Sequence, residues 1–173
     1  MKIISLLFLI LISFSIQDEE SIYEFFLEND FTREGACAFI GNMMDVSSLN
    51  PTTVDFFFES EEKYVRQADA GTGNFLSDGK GFGLCKWSEY EDKKGLLETC
   101  RQKNYSVGDE ECQLIFLMDQ LKYEYRRVLH YMQDTDDLKK ATNFVCNRYF
   151  DEHYYCDRRY KYAKECYEKF IEE

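Results

Sequence analysis

Apolar residues recur at three- and four-residue intervals along most of this chain, the spacing that lines one face of an α-helix. From Asp18 to Glu28, Ile22, Phe25 and Phe26 share a face. Thr32 reads as the N-cap of a second helix running to about Val46, with Ala36, Phe39, Ile40 and Met43 inward. A short helix is expected around Ser60 to Ala68, and another from Ser88 or Glu89 that carries Leu96, Leu97 and Cys100. The longest pattern, Asp109 to Met132, predicts one continuous helix with Leu114, Leu117, Leu121, Tyr125, Val128 and Met132 along it. Two more follow, Asp136 to about Tyr149 and Asp157 to about Ile171, the first capped by Thr135 or Asp136. Residues 47–83 are irregular, with Pro51, the aromatic run Phe56-Phe57-Phe58 and a Gly-rich stretch; strand character is confined to Gly81–Trp87. The fold class is therefore mostly α, a single helical domain over residues 18–173.

The first fifteen residues break this pattern. One cation, Lys2, precedes an apolar run from Ile3 to about Ser15, ending on small residues and followed by Asp18-Glu19-Glu20. That is the layout of a secretory signal peptide at 1–15, too short for a membrane anchor of ~20 apolar residues. A secreted location fits the seven cysteines, at 37, 85, 100, 112, 146, 156 and 166, which then read as a disulfide framework. Seven is odd, so one cysteine stays reduced or pairs between molecules. Cys156 and Cys166, ten residues apart on one helix, would lie ~15 Å apart and cannot bridge. Cys100 and Cys112 flank a loop between helices and are placed for a staple.

Charge and composition narrow the partners. Twenty-one Lys and Arg face 33 Asp and Glu, a net charge of −12, which excludes nucleic acid as a partner because that binding requires clustered cations. No Cys-x-x-Cys occurs and the closest His–Cys spacing is His153-x-x-Cys156, so no metal or cofactor is expected. Gly79-Lys80-Gly81-Phe82-Gly83 is no phosphate cradle, since it opens no helix after a strand; it reads as a tight turn. Asp134-Thr135-Asp136-Asp137 lacks the Gly and Glu of a calcium loop. His130 and His153 have no nucleophile motif beside them. Asn104-Tyr105-Ser106 is a glycosylation sequon.

Two segments carry more. Gly41-Asn42-Met43-Met44-Asp45-Val46-Ser47-Ser48-Leu49-Asn50-Pro51 and Gly81-Phe82-Gly83-Leu84-Cys85-Lys86-Trp87 resemble the phage tail lysozyme (tail-tip peptidoglycan hydrolase) family. That family looks like G-N-M-x-x-E-S-x-L-x-P followed by Gly-aromatic-Gly-Leu-x-Gln-Trp. Tyr64-Val65, Asp78 and Cys112-Gln113-Leu114-Ile115-Phe116-Leu117 add to the likeness, which spans about residues 20 to 170. It implies a lysozyme-like fold and hydrolysis of β-1,4 bonds in peptidoglycan. It also implies a groove between the end of the second helix and Gly81–Trp87, where a Glu would act as general acid.

At that acid position this sequence has Val46, which carries no proton to donate. Loss of a general acid costs roughly 10²–10⁴-fold. Asp45 is adjacent but rotated by roughly 100° around the helix, and Asp78, close to the glycine turn, is the other candidate carboxylate. Lys86 replaces the family's Gln, and Phe150-Asp151-Glu152 replaces a Glu-Arg-Pro-like end. Three readings result. The protein is a weak or inactive lysozyme-like binder of peptidoglycan or a related aminosugar polymer, with Asp78, Phe82 and Trp87 contacting the sugar; or a hydrolase using Asp45 or Asp78; or a disulfide-stabilised interaction protein whose groove is filled.

Overall fold

The structure, a computed structural model, describes residues 19–55 and 60–171. The expected signal peptide and Phe56-Phe57-Phe58 lie outside the described residues. The chain is helical at 19–28 (α1), Arg33–Ser47 (α2), Glu61–Asp69 (α3), Tyr90–Lys103 (α4), Glu110–Tyr123 (α5), Arg126–Asp134 (α6), Leu138–Arg148 (α7) and Cys156–Ile171 (α8). The mostly α expectation holds. None of these helices is long and apolar enough to cross a membrane. Two compact units emerge, one from residues up to Asn42 and from His130 onward, the other Met43–Leu129.

The first unit is held by aromatic and aliphatic side chains. Phe26, Phe39, Ile22, Ile40 and Met132 are fully buried, and Phe26 packs against Phe31 and Phe39 at ring separations of 4.8 and 5.4 Å. Thr32 caps α2 as expected, its hydroxyl accepting from Gly35 N–H at 3.0 Å. Gly41 lets α2 and α8 approach backbone to backbone, because a Cβ there would lie 2.5 Å from Ala163 N. Asn42 is buried and fully used: Nδ2 donates to Ala38 O (2.7 Å) and Thr142 O (3.3 Å), while Oδ1 accepts from Arg159 Nη1 at 3.0 Å. The cap of α7 is Asp137, not Thr135 or Asp136. Its carboxylate accepts from Lys140 N–H at 3.0 Å, and Thr135 Oγ1 accepts from Asp137 N–H instead. A Cys146–Cys156 disulfide joins α7 to α8.

The second unit packs α3, α4 and α5 with the irregular chain before them. The expected Cys100–Cys112 staple is present between α4 and α5. Residues 109–132 are not one helix: α5 ends at Tyr123 and α6 begins at Arg126. Tyr125 N–H reaches five residues back to Gln120 O (3.0 Å), and Tyr125 O then accepts from Val128 and Leu129 to start the next helix. Apolar residues stay inward on both sides, so their periodicity hides the break.

Candidate functional site

The site region lies in the second unit, where α2 ends against the Gly81–Trp87 turn. Ser47 Oγ stands 2.9 Å from Met43 O and 3.0 Å from Leu84 O, so its single proton serves either carbonyl and ties the helix end to the turn. Beyond it, Ser48 and Leu49 both adopt left-handed backbone, with φ of 54° and 59°. Two such residues in succession are costly for side-chain-bearing amino acids and mark a tightly specified exit. Thr53 Oγ1 donates to Ser47 O at 3.3 Å, and the chain then pairs with the turn through Gly83 N–H to Thr53 O (2.9 Å) and Asp55 N–H to Gly81 O (3.0 Å). Phe82 and Trp87 exchange both backbone hydrogen bonds, so the segment is a minimal hairpin with isolated bridges. Gly83 has φ +75°, and a Cβ there would meet Gln113 Oε1 at 2.5 Å. Gln113 holds the hairpin in place, accepting from Leu84 N–H (2.8 Å) and donating to Pro51 O and Val107 O (2.7 Å each).

Val46 is half-buried in the last turn of α2, one residue from the Ser47 tie, and Asp45 beside it is also half-buried. Gly41 and Asn42, the start of the same motif, serve helix packing in the first unit.

Asp78 sits at the centre of a polar cluster. Its Oδ1 accepts from Lys93 Nζ (2.5 Å) and from Lys80 N–H (3.1 Å), and its Oδ2 accepts from Tyr64 Oη at 2.7 Å. Lys93 is wholly buried, with its ammonium 5.0 Å from the Phe75 ring centroid. Burial pushes the Asp78 pKa up, but the bonds from Lys93, Tyr64 and the Lys80 backbone, with the Lys93 charge, more than reverse this and hold it below the usual carboxylate range. Burial first, and then Asp78, pushes the Tyr64 phenol up. The group therefore stays a carboxylate with both oxygens engaged. A proton donor needs the opposite environment.

Phe82 has no accessible surface and Trp87 is only 4% exposed. The expectation that these rings offer flat faces to a sugar is corrected by their packing. Phe82 lies against Tyr64 and Phe75 at 5.7 and 5.4 Å, and Trp87 against Phe116 at 5.3 Å. They stand behind the hairpin and support it. Trp87 Nε1 donates to Gln120 Oε1 (2.9 Å), whose Nε2 donates to Asp92 Oδ1 (2.8 Å). Asp92 is raised above the usual range by burial, then by the charges of Glu124 and Glu89. Lys86, at the family's Gln position, takes left-handed backbone (φ 57°) and pairs with Asp55 at 2.6 Å.

Sequence reasoning missed Lys93, Asp55, Asp92 and Gln120. Lys93 lies in Glu91-Asp92-Lys93-Lys94, which reads as a solvated face; its position three before Leu96 was the available signal.

The sequence pattern of the phage tail lysozyme family matches residues 17–170, nearly the whole chain. No curated protein matches it. With that coverage, a mostly helical fold and the α2 end tied to its glycine hairpin, the chain belongs to the phage tail lysozyme family, a lysozyme-like family whose substrate is peptidoglycan.

Proposed function

We propose that this protein is exported and holds a peptidoglycan or related aminosugar chain at the end of α2 and the 81–87 hairpin, with weak or no cleavage. The observation that carries the reading is Val46 at the position where the family resemblance implies the acid, adjoining the Ser47–Leu84 tie. Glycosidic cleavage needs a carboxylic acid kept protonated by partial burial. Valine supplies none, and Asp78 is held ionised by Lys93 and Tyr64. Two disulfides support export into an oxidising compartment.

Sedimentation with insoluble peptidoglycan tests the binding half. The protein is expected to pellet with the polymer and to be displaced by soluble aminosugar oligomers. A protein that stays in the supernatant rejects the sugar-binding role and leaves a disulfide-stabilised interaction protein, a reading that the burial of Phe82 and Trp87 favours. Robust release of reducing ends that Asp45→Asn abolishes would instead assign the chemistry to Asp45.

A further inference from the structure

We infer that Cys37 and Cys166 form a third disulfide, one that locks the two distant chain segments of the first unit together and leaves Cys85 as the remaining thiol.

Cys37 and Cys166 are both buried, and their Sγ atoms are 2.6 Å apart. That is well inside the contact distance of two unbonded sulfurs and a small movement from a bond of ~2.05 Å. Helix packing, not a flexible side chain, fixes this approach. On α2, Cys37 precedes Gly41 by four residues, and on α8, Cys166 follows Ala163 by three, so each pair shares one helix face. Gly41 meets Ala163 backbone to backbone, and Cys37 meets Cys166 one turn away, the register of two helices running in opposite directions. The sulfurs are thus held together by the same contact that demands glycine at 41.

The other two bridges are local, closing 12 and 10 residues of sequence. Cys37 and Cys166 are 129 residues apart, and they belong to the two separate stretches from which the first unit is assembled. A bond here constrains the unfolded chain more than either local bridge does, because it closes the longer loop. It would keep both stretches covalently together if the intervening Met43–Leu129 unit were nicked by a protease outside the loop that Cys100–Cys112 closes.

The chemistry is thiol–disulfide exchange. One cysteine thiolate attacks an oxidised disulfide, of the glutathione or protein dithiol class, and a mixed disulfide forms with loss of one thiolate. The second cysteine attacks that mixed disulfide, the Cys37–Cys166 bond forms, and the carrier leaves with both electrons; two protons pass to solvent or to the released thiolates. Burial, then contact with Cys37, pushes the Cys166 thiol up and away from the reactive thiolate. Exchange therefore precedes final closure of α8 on α2.

The test uses the full chain folded in a buffer of reduced and oxidised glutathione, denatured without reductant, alkylated and digested. Molecules with both local bridges closed are scored by mass spectrometry. The expected result is a cross-linked peptide pair containing Cys37 and Cys166, with alkylation at Cys85 alone. Cys85→Ala should keep the cross-link and remove the alkylation, and Cys37→Ala should expose Cys166 to alkylation. Alkylation at Cys37, Cys85 and Cys166 together, or a cross-link that includes Cys85, would overturn the assignment.

Discussion

Asp78 and Asp92 are two carboxylates withdrawn from water inside the same compact unit, yet their surroundings drive their protons in opposite directions. Asp78 faces an ammonium, a phenol and a backbone N–H. Asp92 receives a neutral amide from Gln120 and lies near two further carboxylates, Glu124 and Glu89. Burial alone raises both. What decides is the charge of the partner. The difference also sorts their chemistry: a carboxylate locked as an anion is a structural pin, whereas a raised carboxyl has the character that acid catalysis requires. Asp92, however, spends its oxygen on the Gln120–Trp87 chain behind the hairpin.

The largest break in this comparison comes from Lys93→Met. It strands Asp78 without its buried counter-charge and should cost about 3–5 kcal/mol, read from the denaturant midpoint. The double variant Lys93→Met, Asp78→Leu should recover most of that loss, because the pair is then replaced by apolar volume. Little or no recovery in the double variant would mean that the Tyr64 and Lys80 contacts, not the ion pair, hold this corner.

Gln120→Leu removes the amide that joins Trp87 to Asp92 and should cost about 1–3 kcal/mol. Tryptophan fluorescence should shift with it, since Trp87 is the only tryptophan in the chain.

Asp92→Asn is the smallest change. The amide oxygen still accepts from Gln120, and the penalised charge is gone, so stability at neutral pH should hold or rise by less than ~1 kcal/mol. The pH profile separates the two groups. Asp78 has a lowered folded pKa, so its contribution is present above the ordinary carboxylate pKa of ~3.9 and is lost as pH falls through its folded value. Asp92 has a raised folded pKa, so its contribution is full below ~3.9 and is lost as pH rises through its folded value. Thermal melting across pH 3 to 7 of the native chain and Asp92→Asn should therefore diverge toward the upper end of that range, the variant being the more stable.

Helical spacing made most of the fold legible, because a burial stripe is a direct record of which face meets the core. Where backbone geometry departs from the helix without changing the stripe, as at Glu124–Tyr125, nothing in the pattern marks it. The cap of α7 went to Asp137 because several neighbouring residues had the right side chain and only geometry chose among them. At the site, Val46, Asp78 and the Gly-Phe-Gly turn were readable from motif order. Lys93 was not, since a buried ammonium is indistinguishable in sequence from a solvated one until its partner is seen. Phe82 and Trp87 read as flat faces for a sugar, whereas the structure buries both, because aromatic residues serve cores and sugar platforms alike.

The central claim is that the fold persists while the proton donor at residue 46 is gone. Its most direct measurement is the release of reducing ends from purified peptidoglycan by the native protein and by Val46→Glu, matched for folding by circular dichroism. The native chain should release next to none, and the glutamate variant should gain activity roughly 10²-fold or more. Cleavage by the native chain equal to that of the variant would contradict the account.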